Sequence, residues 1–274
     1  MKENLPRHCP THLRRFLDEL KQAPKKSLSQ NFLIDQNVIQ KIVSAASIKK
    51  GDLVLEIGPG PGALTQAMIA IGADVIAVEK DRAFAESLQK DFKNLTVYED
   101  DIMQFSLDQI PRMCKVISNL PYNLTTPILM KLLPRVDLFS MLIIMVQKEV
   151  GDRICEKPGC KNFGPLALLA QFYSDPSYLF TVKKNCFYPA PKVDSAIIAF
   201  ECHEPPNISD EKAFFEMVRV CFGQRRKMLR RTLTSLFSKS KIEEVLESVK
   251  IKPTARAEEL SLEQFIALFE ELSR

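Results

Sequence analysis

With 274 residues, 46% hydrophobic and 26% charged, the chain has enough apolar material for a buried core, as one large domain or a domain with a smaller companion. Its net charge of +4 permits an anionic partner without requiring one. Membrane-spanning and secreted classes are not expected: no run approaches the roughly 18 apolar residues of a membrane span, the N-terminus lacks a signal core, and the seven scattered cysteines form no C-x-x-C pair, as in a reduced cytoplasmic protein.

Residues 1–26 are polar except for Leu13, Phe16, Leu17 and Leu20, whose spacing predicts a helix packed on the main domain. A basic face carrying Arg14 and Arg15 is the alternative. His8, Cys9 and His12 lack a second ligand pair, so no metal site is expected there. Glu3, Asp18 and Glu19 argue against an organellar transit peptide. Next comes Ser29-Gln30-Asn31-Phe32-Leu33-Ile34-Asp35, with Asp35 placed to cap a helix through Val38, Ile39, Ile42 and Val43.

The stretch from Val54 to Thr65 reads as a buried strand, then alternate glycines at 58, 60 and 62, then a helix. Such a turn brings backbone close to a ligand that a Cβ would push away. Gly58, Gly60 and Ala63 fit the dinucleotide pattern G-x-G-x-x-G/A. However, Pro59 and Pro61 offer no N–H to a pyrophosphate, and Glu56 puts negative charge beside it. S-adenosylmethionine, cationic and free of phosphate, fits better.

Strands are predicted at Leu53–Ile57, Val75–Val78, Thr96–Tyr98, Val116–Ser118 and Met141–Val146, separated by helix-length segments. That alternation implies a parallel doubly wound sheet, whose ligands bind beyond the strands' carboxyl ends. Glu79, about twenty positions past Gly58, suits a ribose's hydroxyls. Asp100 or Asp101 could accept from an adenine amino group, with Ile102 over the ring.

After the fourth strand stands Asn119-Leu120-Pro121-Tyr122. A planar exocyclic amine is a poor nucleophile because its lone pair is delocalised. Acceptance of both N–H bonds, by the Asn119 side-chain oxygen and the Leu120 carbonyl, favours a tetrahedral nitrogen and strengthens as the transition state forms. Pro121 stiffens the turn, and Tyr122 offers a face for an unstacked base.

Thr126-Pro127 predicts a helix start with Thr126 as cap. Gln147-Lys148-Glu149 ends a strand and opens a helix. Residues 156–164 form a loop on which Lys157 and Lys161 could meet phosphate, and Leu166–Tyr173 reads as a buried helix. Tyr178–Val182 and Val193–Phe200 are expected as a hairpin closing the sheet. Between them Phe187 either faces the pocket opposite Tyr122 or lies in the core.

Pro205-Pro206-Asn207 marks a linker to helices near 210–222, 225–238, 241–249 and 261–272. Arg219, Arg225, Arg226, Lys227, Arg230 and Arg231 occur without an intervening acid. On a helix, the pairs 226/230 and 227/231 would share one flank, a phosphate-binding ridge.

Taken together, Gln30-Asn31-Phe32-Leu33, Glu56-Ile57-Gly58-Pro59-Gly60, Asn119-Leu120-Pro121-Tyr122-Asn123, Gln147-Lys148-Glu149, Pro189-Ala190-Pro191-Lys192-Val193-Asp194-Ser195 and Gln224-Arg225-Arg226-Lys227 resemble the small-subunit ribosomal RNA adenine N6-dimethyltransferases over nearly all of residues 28–274. The resemblance implies an α/β, Rossmann-like class I methyltransferase with a doubly wound, mostly parallel seven-stranded sheet and a small all-α C-terminal domain. The divisions expected are an extension (1–27), a methyltransferase domain (28–204) and a helical RNA-binding domain (205–274).

The resemblance also implies dimethylation of two adjacent adenines in a hairpin loop near the RNA's 3′ end, during assembly of the small ribosomal subunit, by a metal-free monomer. Carried over by motif, Asn31, Leu33, Gly58, Glu79, Asp101 and Asn119 contact S-adenosylmethionine. Asn119, Leu120, Pro121, Tyr122 and Phe187 form the catalytic site, with Tyr122 and Phe187 sandwiching the adenine. Arg225, Arg226, Lys227, Arg230 and Arg231 bind RNA. Ser29 replaces the usual glycine, Pro165 is uncommon after Gly164, and the first 26 residues exceed the usual start. Competing readings are a large-subunit RNA methylase of the antibiotic-resistance type, a non-enzymatic RNA-binding assembly or transcription factor, and a nicotinamide dehydrogenase.

Overall fold

A computed structural model describes residues 6–24 and 30–274; Ser29 lies outside them. The elements run α1 (Pro10–Glu19), β1 (Phe32–Leu33), α2 (Gln36–Ala45), β2 (Leu53–Ile57), α3 (Ala63–Ile71), β3 (Asp74–Glu79), α4 (Arg82–Asp91), β4 (Leu95–Glu99) and β5 (Cys114–Asn119). They continue with α5 (Thr125–Leu132), β6 (Phe139–Gln147), α6 (Lys148–Ile154), α7 (Pro165–Tyr173), β7 (Ser174–Val182), β8 (Phe187–Tyr188) and β9 (Ser195–Cys202). Last come α8 (Glu211–Gly223), α9 (Leu229–Thr232), α10 (Lys239–Ser248) and α11 (Leu262–Ser273).

Seven strands form one sheet in the order β4-β3-β2-β5-β6-β9-β7. The pairs from β4 to β6 are all parallel, and β9 joins β6 antiparallel. Each of the five predicted parallel strands falls in an observed one; the inner strands, buried on both faces, read as continuous apolar runs, whereas the edge strand β4 is only partly buried. The two later segments are neighbours as expected, but β9 lies inside and β7 forms the edge. The order reverses between β2 and β5, which opens a crevice at the carboxyl ends of both strands.

The chain divides into two compact units, residues 1–151 with 175–203 and residues 152–174 with 204–274. In the first, α1 buries Leu13 and Leu17 with Phe32 and Phe84, as its apolar spacing predicts. Asp35 caps α2 by accepting from the Asn37 and Val38 amides. At α5 the cap position is Leu124, not Thr126, which lies inside the first turn.

The second unit centres on phenylalanines, with Phe172 stacked on Phe214 and Phe222 on Phe265. Pro165 opens α7 at its first turn, where a missing N–H costs nothing. The helix expected over 225–238 is broken. Gln224 leaves the helical region, the Lys227 amide turns back to the Gln224 carbonyl at 2.8 Å, and α9 spans one turn before a 3-10 segment at Leu233–Ser235. The Leu229 amide goes to Ala255 O at 2.9 Å, which buries Leu229 and Leu233 and overrides the helical periodicity.

Candidate active site

The crevice holds a cavity of about 330 Å³ lined by the glycine turn, the ends of β3, β4 and β5, and residues 30–33. Gly58, Gly60 and Gly62 all have φ between 55° and 90°, the left-handed region that only glycine enters cheaply. A Cβ on Gly62 would stand 2.6 Å from Leu88, and one on Gly60 would press the Phe32 ring at 3.2 Å. Gly58 has open space instead.

The amides of this turn face inward. Gly58 N–H donates to Val78 O (2.9 Å), Gly60 N–H to Glu79 Oε2 (2.9 Å) and Gly62 N–H to Pro59 O (3.0 Å). Because Pro59 and Pro61 have no N–H, the loop offers backbone surface but no cradle of donors for a pyrophosphate.

Glu56 differs from the expectation of a fixed negative charge. It is fully buried, accepts from the Thr65 hydroxyl at 2.5 Å, and is pushed by burial up to about 8. Near neutral pH it is mostly protonated, so it gives no charge argument against phosphate. The engaged glycine amides and the two prolines carry that argument.

Glu79 is buried and bridges the turn to α4, its two oxygens accepting from Gly60 N–H and, at 2.7 Å, Asp81 N–H. Burial raises its carboxyl above the usual range. Asp101 accepts from Lys80 Nζ at 2.8 Å and from the Met103 amide at 2.9 Å; chiefly the Lys80 bond holds its carboxyl below the usual range. Ile102 is buried in the same wall.

Across the cavity Ser118 ties β5 to β2 by donating to Ile57 O at 2.5 Å. Asn119 follows, with Nδ2 donating to Asn31 O at 3.0 Å. That bond turns Oδ1, an acceptor, away from the Asn31 carbonyl. The Leu120 amide is fixed on Met145 O at 3.2 Å. Pro121 leads into the 3-10 turn of Tyr122, whose hydroxyl lies 2.7 Å from Ser195 Oγ. Burial raises the Tyr122 phenol above its usual range, keeping it neutral.

Asn31, Leu33, Gly58, Glu79, Asp101, Asn119, Leu120, Pro121 and Tyr122 therefore line one cavity. Phe187 does not. It is 3% exposed within the core cluster and pairs with Leu33 through β8 and β1, so its backbone braces the Asn31–Leu33 segment. Phe187 is a core phenylalanine here, not the second face of a sandwich with Tyr122.

The basic residues lie in the second unit, on a turn and a short helix, not on one flank. Arg226, Lys227 and Arg231 are exposed and Arg230 half-buried. Arg225 is engaged, donating to Lys161 O (2.6 Å) and Phe163 O (2.9 Å). Sequence reasoning missed Arg7, Lys80 and Ser195. Lys80 could have been suspected from its place beside Glu79 and Ser195 from its place at the end of the 189–195 motif, whereas nothing local marks Arg7.

Residues 21–274 match the ribosomal RNA adenine dimethylase family. The Ribosomal RNA small subunit methyltransferase A of Protochlamydia amoebophila is 51% identical over 98% of both chains. That of Chlamydia felis is 40% identical over 98% of this chain and 97% of its own. Among solved structures, a dimethyladenosine transferase from Plasmodium falciparum superposes with a TM-score of 0.77 at 26% identity, covering 86% of this chain and 95% of that one. The 23S rRNA methyltransferase ErmE, at 24% identity and a TM-score of 0.70 over 89% and 100% of the chains, shares the fold. Sheet order, glycine turn and these likenesses give a Rossmann-like class I methyltransferase fold, and the chain belongs to the ribosomal RNA adenine dimethylase family.

Proposed function

We propose that this enzyme transfers methyl groups from S-adenosylmethionine to N6 of adenine in small-subunit ribosomal RNA, dimethylating two adjacent adenines of a hairpin loop near the 3′ end in the immature subunit. Family membership and the relatives named above support the reaction and the RNA class. The cavity fits the cofactor: acceptors at Glu79 and Asp101 suit an adenosine, and the Cβ-free turn at Gly58 lets backbone approach it. When bound, S-adenosylmethionine supplies a methyl group activated by a sulfonium.

The observation that carries the reading is the orientation of Asn119. With Nδ2 on Asn31 O, its Oδ1 is available as an acceptor on the cavity wall beside Tyr122. Asn119 Oδ1 and the Leu120 carbonyl accept the two N–H bonds of the extruded adenine's amine, and Tyr122, fixed through Ser195, stacks on its ring. Positioning supplies much of the acceleration, and no protein base is required because the proton leaves after transfer.

The exposed residues Arg226, Lys227 and Arg231, with Arg230, supply sequence-independent contacts to RNA phosphates. Incubation with labelled S-adenosylmethionine and either unmethylated small subunits or large-subunit RNA tests the assignment. Label in the small-subunit RNA is expected; label confined to the large-subunit RNA would assign a resistance-type methylase instead.

A further inference from the structure

Lys131 lies on α5, one helix beyond the Asn119–Tyr122 turn, and does not line the cavity. Its ammonium nevertheless donates to two main-chain oxygens of the opposite wall, Ile102 O at 2.7 Å and Phe105 O at 2.6 Å. Those oxygens belong to one hydrogen-bonded turn that begins at Asp101. The Gln104 and Phe105 amides both return to Asp101 O, at 2.7 and 2.8 Å, and the Asp101 carboxylate takes the Met103 amide.

Main-chain carbonyls of a turn that no amide reaches are satisfied by a cation, whose hydrogen bonds to them are charge-assisted. Lys131 makes that closure. Partial burial lowers its pKa, an effect opposed by the nearby Asp100 and Asp101. On the other side Lys80 holds the Asp101 carboxylate, so two lysines grip the same turn. Ile102 and Met103, which the turn presents to the cavity, are set by that grip.

We propose that Lys131 is a positioning residue for the adenosine half of the cofactor, joining the wall that receives the adenine to the helix that follows the amine-binding turn. The inference rests on reading the cavity as an S-adenosylmethionine site. A lysine that merely stabilised the fold would change melting temperature alone. One that positions the Asp101–Phe105 turn changes affinity for every ligand carrying adenosine, whether or not it carries the amino acid.

The test titrates the full chain with S-adenosylhomocysteine and with 5′-methylthioadenosine, in the wild type, K131M, K131Q and K131R. K131M should weaken both ligands by the same factor, about tenfold, the scale of one lost charge-assisted hydrogen bond. The cofactor KM should rise equally, with kcat at saturation held within about twofold, and K131R should recover most of the affinity. Unchanged affinity, a loss confined to S-adenosylhomocysteine, or a fall in kcat without a change in KM would each overturn the proposal. K131Q provides the same readout should K131M fail to fold. A wild type that bound neither ligand would remove the cofactor reading itself, and this inference with it.

Discussion

Asn119 Nδ2 donates to the main-chain oxygen of Asn31, 88 positions earlier in the chain, at 3.0 Å. That one bond fixes the orientation of the amide. A free asparagine could offer a donor or an acceptor; with Nδ2 engaged, the proposed role of Asn119 is that of an acceptor through Oδ1.

Asn119→Ala removes the acceptor while leaving the basic residues of the second unit untouched. Methyl transfer should fall by about 100-fold to 1,000-fold, the cost of losing one group aimed at a transition state, with RNA binding within about twofold. Single-turnover rates and filter binding on the same preparation would check both. Full activity would remove Asn119 from the chemistry.

Glu56 makes stability depend on pH. Its folded pKa of about 8 stands above the ordinary 4.5. Below the lower value both states are protonated and nothing is lost. As pH rises towards 8 the unfolded chain ionises while the folded one does not, so the fold loses stability, and above 8 the loss is complete. Glu56→Gln keeps an acceptor for the Thr65 hydroxyl and cannot ionise. Urea midpoints at pH 5, 7 and 9 should therefore fall less steeply in the variant than in the wild type; parallel profiles would show that Glu56 ionises normally.

Gly62 combines a φ of 90° with a would-be Cβ only 2.6 Å from Leu88. Gly62→Ala should cost about 1–3 kcal/mol in backbone strain alone, read as a lower urea midpoint with an unchanged slope. Gly58, with open space around its Cβ direction, separates strain from crowding, because Gly58→Ala meets only the former.

Arg226 and Lys227 are exposed on a turn, whereas Arg225 holds the carbonyls of residues 161 and 163. The double change Arg226→Glu and Lys227→Glu should weaken RNA binding and reduce the slope of log affinity against log salt by about 2. An unchanged slope would place phosphate recognition elsewhere. Arg225 is a poor choice for this experiment, since its loss would loosen the 161–163 loop as well.

The parallel strands and the glycine turn were legible because their signals are local: apolar runs for the strands, alternate glycines for the left-handed turn. Glu79, Asn119 and the pair Asp100 and Asp101 were singled out by one rule, that ligands of such sheets sit beyond the strand ends, and the family resemblance chose Asp101 from the pair. What escaped depends on distant partners. The break after Gly223 is set by Leu229 reaching Ala255, and the burial of Phe187 by pairing with Leu33. The charge state of Glu56 follows from a burial that no spacing announces. Lys131 looks in sequence like an ordinary helix lysine, and only the folded chain brings it to the carbonyls of Ile102 and Phe105.

Mass-spectrometric mapping of methyl groups, after incubation of the enzyme and S-adenosylmethionine with unmethylated small subunits, tests the central claim most directly. Two methyl groups on N6 of each of two adjacent adenines near the 3′ end are the predicted result. Methyl groups at another atom or on another RNA, or none where the wild-type protein binds the subunit, would contradict it.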